Sequence, residues 1–392
     1  MRVFIPTAGT GSRLGSLTSN INKSLISINN KPVISYIIES YPKKTEFVIA
    51  LGYQGSKVKE FLKLFYPKYK FIFIYIKNFS GVGSGLRLTL LNSKHKLQRP
   101  FIFHACDSII TNKVYKLNSN WVGCSTKGSA KNYRQVELKR KLIREIKEKS
   151  KSEILKPLNY IGLAGVHNYK SFWKNIIKTK KNFGEVSGLN GLLEYNLKPK
   201  KFDWYDVGNL ESLKKTRNKF EKKKNNILEK VDESIWFLNN KVIKFSNDQN
   251  FIKHRVLRSK LLYPFTPKVK SKSKHYYIYN SVKGIVYSKK ANLSNFKLLL
   301  KFLEKFWQKK KFTKKFKVNC YQFYKNKTYK RILNYLRINN LKDKTEYINN
   351  IKIPPILRII SELNWNNLSN GKPVNFHGDL HFENILISKK MK

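Results

Sequence analysis

The sequence is poor in acid. Only 24 of its 392 residues are Asp or Glu, against 80 Lys and Arg, which leaves a formal charge of +56. A field of that sign attracts nucleic acid, anionic lipid or phosphorylated small molecules. The lysines are nevertheless spread along the whole chain among abundant Asn, Ile, Phe and Tyr. An AT-rich genome produces the same composition, and most of the charge is then solvated surface. No zinc finger, RNP motif or basic leucine zipper interrupts that spread, so no specific nucleic-acid partner is expected. Cysteine is scarce too. Cys106, Cys124 and Cys320 stand apart, with no C-x-x-C and no nearby histidine pattern. That excludes a disulfide framework or zinc site and fits a reducing compartment. No apolar run approaches membrane-spanning length, and the first residues pass from strand to glycine-rich loop rather than building a signal peptide. The expectation is a cytoplasmic protein without membrane insertion. No internal repeat is visible.

What is present is enough apolar material to fold. The hydrophobic fraction is 41% and the aromatic fraction 14%, in a chain long enough for two or three domains. "MRVFIP" is a short apolar run that breaks into a loop of small residues. "PVISYIIESY" has helical spacing, "EFVIALGY" reads as a buried strand, "GSKVKEFLKLFY" as an amphipathic helix and "KFIFIYI" as a strand. Such alternation predicts an α/β fold with a parallel sheet covered by helices. "PFIFHACDSII" is a further strand with Asp107 at its carboxyl end, the edge where open α/β sheets bind ligands. From Ser212 to Lys230 the chain turns Lys-rich, as a terminal helix or a linker, and a domain boundary is placed there. Beyond it, "SIWFLNNKVIKFSND" carries a hairpin signal at Asn-Asn. "HYYIYNSVKGIVY" is strand-like, and "NFKLLLKFLEKFW" has helical spacing.

The loop "PTAGTGSRL" sets Gly9, Gly11 and Gly15 around Arg13 directly after the first strand. Small residues let backbone N–H groups approach a phosphate, and a cation neutralises it. The spacing is neither a dinucleotide fingerprint nor a P-loop. The longer stretch "AGTGSRLGSLTSNINKSLISINNKPVISYIIE" resembles the signature of the sugar-phosphate nucleotidyltransferases, which include nucleotide-sugar pyrophosphorylases and phosphocholine cytidylyltransferases. The matching residues are Gly9, Gly11, Arg13, Leu14, Thr18, Lys23, Lys31 and Pro32; Asn22 stands where that family has proline. "VIALGYQGSKVKEFL", "GVGSGLRLTLL", Asp107 and "WYDVGNLESL" extend the resemblance over about residues 1–215. It implies a Rossmann-like domain with a mostly parallel sheet. Arg13 and Lys23 would stabilise phosphate charge, and Asp107 and Asp206 would hold Mg²⁺. Backbone near Gly9, Gly11, Gly83 and Gly85 would approach the nucleotide. Glu148, Lys149 and Gly165 fall near segments that line the acceptor pocket in relatives, where Leu163-Ala164-Gly165 replaces the familiar Asn-Ala-Gly.

A second motif lies at "VNFHGDLHFENIL". An acid at Asp379 and an amide at Asn384, with His377 and His381, resemble the catalytic loop of the aminoglycoside phosphotransferase and choline kinase family. The resemblance implies Asp379 as the base for a substrate hydroxyl, Asn384 as a Mg²⁺ ligand and Lys244 of "NKVIKF" on the phosphates of ATP. "YYIYNSVKG", with Gly284, would receive adenine. Only eight residues follow Asn384, and they carry no second metal-binding aspartate. The expected layout is therefore 1–215 nucleotidyltransferase, 216–230 linker or helix, and 231–392 an incomplete protein-kinase-like α+β domain, inactive as a kinase.

These readings combine into a Mg²⁺-dependent transferase. It would join the nucleotidyl group of CTP, UTP, GTP or dTTP to a small phosphate monoester, a sugar 1-phosphate or phosphocholine-like compound. Such a product would feed surface polysaccharide or headgroup synthesis, and a homo-oligomer is left open. Two alternatives stand beside it. One is a basic protein that binds nucleic acid or acidic glycan on these scaffolds, which steep salt dependence would reveal. The other is a transferase with a non-catalytic kinase-like module.

Overall fold

Runs as continuously apolar as Val3–Ile5 and Phe47–Leu51 suit a strand buried on both faces, because successive side chains point to opposite sides. The computed structural model, which describes residues 1–149, 157–179, 184–221, 230 and 232–388, places both in the centre of one sheet. β1 (Arg2–Pro6) pairs in parallel with β2 (Glu46–Leu51), and β2 with β3 (Lys70–Tyr75). α1 (Val33–Glu39) lies between β1 and β2 in the chain, and α2 (Gly55–Phe65) between β2 and β3. After α3 (Leu86–Ser93), β4 (Phe101–His104) returns parallel to β1 on its other side. Val3, Ile5, Phe47 and Ile49 join one core with α1 and α2. Phe4, Val48, Phe101 and Phe103 join a second core on the opposite face.

The expected strand across Pro100–Ile110 is broken. β4 stops at His104, residues Ala105–Asp107 turn, and β5 (Ser108–Ile110) leaves in a new direction. β6 (Asn159–Val166) pairs antiparallel with β4, and β5 pairs instead with β7 (Trp204–Asp206), so that Ser108 faces Asp206. Among the described residues the main sheet has nine strands; Trp121–Ser125, Gln135–Lys139, Leu142–Lys147 and Lys198–Lys201 complete it beyond β6.

The Lys-rich stretch begins as α4 (Leu210–Phe220), capped by Asn209, and residues 222–229 lie outside the described ones. The Asn-Asn signal is a hairpin: β8 (Glu233–Leu238) and β9 (Lys241–Ser246) meet through Asn239 and Asn240 at φ 48° and 58°. Asn tolerates that left-handed backbone, which matches the twist of the strands. α5 (Gln249–Leu261), β10 (Val269–Lys272) and β11 (Tyr276–Asn280) complete a four-stranded sheet in the order β8–β9–β11–β10.

The compact division of the chain falls between Ser281 and Val282 rather than near residue 230, so Lys244 belongs with the N-terminal residues. The physical reason is a shared aromatic core. Phe61 of α2 meets Trp236 at 5.4 Å and Tyr276 at 6.1 Å between ring centroids, and the Tyr276 hydroxyl donates to Lys57 O at 3.0 Å. Glu60 accepts from the backbone N–H of His275 at 3.1 Å and lies 3.0 Å from its Nδ1. The unit from Val282 onward holds α6 (Leu293–Phe306), the helices Lys314–Tyr321 and Lys327–Ile338, and short strands at Ile285–Val286 and Leu386–Ile387 that pair with each other. No helix among the described residues is long and apolar enough to cross a membrane.

Two outcomes follow from this packing. Trp236 is fully buried, so Trp236→Ala should cost about 3–5 kcal/mol of unfolding free energy, and urea unfolding should report that loss across the whole N-terminal unit. The second outcome concerns His104. It is fully buried, with Tyr41 Oη 2.7 Å from Nδ1 and Ser108 O 2.8 Å from Nε2. A carbonyl only accepts, so Nε2 carries the proton and Nδ1 accepts from Tyr41. Burial pushes the His104 pKa down to about 4 from 6.5, against the raising influence of Ser108 and Asp107. Between those values the unfolded chain binds a proton that the folded chain refuses. Stability should therefore fall as pH drops through this window, by on the order of 3 kcal/mol from this group. Unfolding midpoints against pH should show that slope, and His104→Gln should flatten it.

Candidate active site

The site begins where β1 runs out. Thr7 still bonds to the sheet, its N–H and hydroxyl both donating to Ala50 O at 2.9 and 2.7 Å. The loop that follows is laced to the exit of β2. Tyr53 N donates to Ala8 O at 2.9 Å, and its hydroxyl donates to Thr18 O at 2.9 Å and Ser19 O at 2.6 Å. Gly52 makes this possible, since a Cβ there would lie 2.5 Å from Ala8 O and 2.8 Å from Phe79 Cβ. At Gly11 the backbone turns through φ +72°, a conformation that favours glycine, and a Cβ would press on Lys23 Cβ at 3.0 Å. Arg13 stands exposed on the short turn Ser12–Thr18. Gly83 and Gly85 lie in the stretch leading into α3, whose first N–H groups have no side-chain cap.

Lys23 crosses from this loop to the end of β4, where its Nζ sits 2.6 Å from Asp107 Oδ2. Burial works against both charges, and each is held by the other. The Lys23 pKa is raised by the Asp107 carboxylate, while that of Asp107 is lowered by the Lys23 ammonium and, further off, by Arg13. Asp206 behaves oppositely. Burial and the charge of Asp107 push its carboxyl up, although Tyr133 Oη donates to Oδ2 at 2.9 Å and Gly208 N to Oδ1 at 3.0 Å. The β5–β7 pairing brings the two acids together, and Val207 N donates to Asp107 O at 3.0 Å. A Cβ on Gly208 would lie 3.1 Å from Asp107 Oδ2 and 3.1 Å from Asp206 Oδ1. Both carboxylates thus border one point, next to the Lys23 ammonium.

That donor set fits Mg²⁺, a hard ion commonly held by one or two carboxylates together with substrate phosphates. Among the described residues no cluster of three or more His, Cys, Asp or Glu side chains suits a metal, so a protein-only cage is absent there. A paired-carboxylate site completed by phosphate oxygens remains the chemistry on offer.

Of the residues singled out from sequence, Lys23, Asp107 and Asp206 meet here, with Gly11 against Lys23 and the charge of Arg13 felt by both members of the pair. Lys31 points elsewhere, onto Glu39 at 2.5 Å. Gly165 lies within β6, where a Cβ would strike the Trp121 ring. Glu148 accepts from Arg134 at 3.0 Å; of the "REIKEKSKSEI" segment, residues 150–154 are outside the described ones. Asp379 and Asn384 are brought together in the second unit, Asn384 Nδ2 donating to Asp379 Oδ2 at 3.0 Å and lying 3.0 Å from His381 Nε2. Lys244 is on β9 in the first unit.

Tyr133 and Glu185 escaped the sequence reading, while Gly52 and Gly208 stood there only within quoted motifs. Tyr133 reaches Asp206 from a loop whose carbonyls, Lys127 O and Gly128 O, accept from buried Asn159 at 2.8 and 2.9 Å. Glu185 is buried, its carboxyl pushed up by burial against the pull of Arg134 and Tyr160, with Asp107 adding to the rise. Gly52 and Gly208 carry no chemistry of their own, and only the close approaches across the fold reveal them.

No protein-family model matches the chain. Curated relatives do. The chain is 26% identical over 251 residues to the bifunctional protein GlmU of Methanococcus vannielii, covering 60% of this chain and 58% of that protein. It is 28% identical over 114 residues to the choline-phosphate cytidylyltransferase of Streptococcus pneumoniae, covering 29% and 47%. A solved structure of CTP:phosphocholine cytidylyltransferase from Streptococcus pneumoniae superposes with a TM-score of 0.47 and 18% identity, over 56% of this chain and 99% of that one. The chain spans little more than half the length of the GlmU protein it matches. Over its N-terminal 60%, this protein is similar to nucleotidyltransferases.

Proposed function

We propose that the N-terminal unit transfers a nucleotidyl group from a nucleoside triphosphate to a small phosphate monoester, releasing pyrophosphate. The observation that carries this is the meeting of Lys23, Asp107 and Asp206 at the carboxyl edge of the sheet, beside the glycine loop. A monoester oxygen attacks the α-phosphorus, the bond to the bridging oxygen of the β-phosphate breaks, and pyrophosphate leaves with the electron pair. The nucleophile belongs to the substrate, so the protein's task is alignment and charge stabilisation. Lys23 and Arg13 face the phosphates with positive charge, and the backbone around Gly9 and Gly11, with Gly83 and Gly85, leaves room for the nucleotide. Asp107 and Asp206 are the residues that would hold Mg²⁺, which would supply neutralisation of the phosphate charge. Lys23 favours the anionic form of Asp107, whereas burial and the charge of Asp107 push the Asp206 carboxyl up.

The names of the relatives, among them a choline-phosphate and a probable glucose-1-phosphate cytidylyltransferase, support a sugar 1-phosphate or phosphocholine-like acceptor and CTP, UTP, GTP or dTTP as donor. We place the activity in the cytoplasm, in the supply of precursors for surface polysaccharide or lipid headgroups. The contact between Asp379 and Asn384 favours a small-molecule-kinase origin for the second unit, with ATP as the nucleotide of that ancestry and Asn384 as its metal ligand. A phosphate ester made by such a kinase is what the first unit would consume.

A panel of triphosphates against phosphate monoesters, read by pyrophosphate release, should find one productive pair. Asp107→Ala should lower its rate by about two orders of magnitude or more, and chelation of divalent cations should abolish it. Silence across the panel would sink the proposal. Gly208→Ala puts a methyl against both carboxylates and should cost at least tenfold in kcat with an unchanged melting temperature. Full activity in that variant would show that the two acids need not converge.

A further inference from the structure

Asn22 occupies the position where the nucleotidyltransferase signature has proline, directly before Lys23. Its backbone, at φ −68° and ψ 142°, is one that proline itself adopts. Its side chain does what proline cannot. A carboxamide offers two N–H donors and an oxygen with two lone pairs, and here all are used. Nδ2 donates to Thr7 O at 2.8 Å and to Tyr53 O at 2.7 Å. Oδ1 accepts from Ser24 N at 3.0 Å and from Ser24 Oγ at 2.8 Å. The residue is fully buried, so its carboxamide depends on these protein partners rather than on water.

The segments it joins are those that build the site. Thr7 is the first residue past β1, Tyr53 lies just past β2 and holds the far end of the glycine loop, and Ser24 follows Lys23. We propose that Asn22 is a positioning residue for Lys23. It fixes the lysine backbone relative to both strand exits, so that Nζ arrives on Asp107 without a search over its rotamers. A simple cap for the short turn Lys23–Leu25 would explain the bonds to Ser24 and leave the two bonds from Nδ2 without purpose. Those two bonds run to different strands, and they are what turns a cap into a brace.

The kinetic part of this inference rests on the proposed nucleotidyl transfer; the structural part does not, and the test separates them. Lys23→Met and Asp107→Asn each remove one end of the same ion pair, so in the parent chain their effects on the urea midpoint should be clearly less than additive. In an Asn22→Ala background the pair is no longer registered, and the two losses should become additive. Asn22→Ser keeps an oxygen able to cap the turn but cannot reach Thr7 O and Tyr53 O together. It is expected to fold even where the alanine variant does not, and to give the same additivity. Undiminished coupling in the serine background would overturn the proposal. In pyrophosphate release, Asn22→Ser should lower kcat about tenfold with KM for the triphosphate within about twofold, and adding it to Lys23→Ala should cost nothing more. Additive kinetic losses would count against it. A parent enzyme that releases no pyrophosphate would remove the function while the midpoint cycle still decides the role of Asn22.

Discussion

Taking Lys23 and Asp107 out of water strips each of hydration that its partner must replace. Their side chains are only 17% and 19% exposed, at a separation of 2.6 Å. Removing one end of a buried pair generally costs about 3–5 kcal/mol, because the other end stays charged without compensation. The surrounding structure meets that constraint from several sides. The glycine loop is tied to β2 by Tyr53, Gly52 lets the two segments touch, and the turn carrying Asp107 is spanned by the His104–Ser108 contact. The same pair divides the chemistry of the two acids. Asp107 is kept anionic, and its charge raises the cost of ionising Asp206.

Much of this was legible in the sequence. Arg13, Lys23, Asp107 and Asp206 were singled out as candidates by residue type and order, and Lys23, Asp107 and Asp206 do meet in the fold. The central strands could be named because apolar runs bounded by loop residues have few other uses. The break after His104 was not legible. "PFIFHACDSII" has the composition of one strand, and it bends because the His104 ring bonds Ser108 O across the turn and β5 finds β7, a partner nearly a hundred residues away. Tyr133 was missed for a similar reason, since its contact with Asp206 depends on which loop folds over which acid.

The boundary after α4 illustrates how composition misleads. A Lys-rich stretch reads as a solvated linker, and the change from the large sheet to the small one does occur nearby. Solvation of the connecting stretch says nothing about the surfaces on either side of it. Those surfaces are Phe61 on one side and Trp236 with Tyr276 on the other, and they close on each other. In the second unit Asp379 and Asn384 are near neighbours in the chain and need only a local turn to meet.

That aromatic closure also limits how the protein can be rearranged. Evolution and engineering both trade segments most easily where few apolar contacts are severed. Motif boundaries would invite a swap after α4, with one transferase body exchanged for another in front of the same small sheet. Any incoming body would have to present a ring where Phe61 stands, an acceptor like Lys57 O for the Tyr276 hydroxyl and a carboxylate like Glu60 for His275. The small sheet is thus bound to the site-bearing body by its packing, within the unit that ends at Ser281.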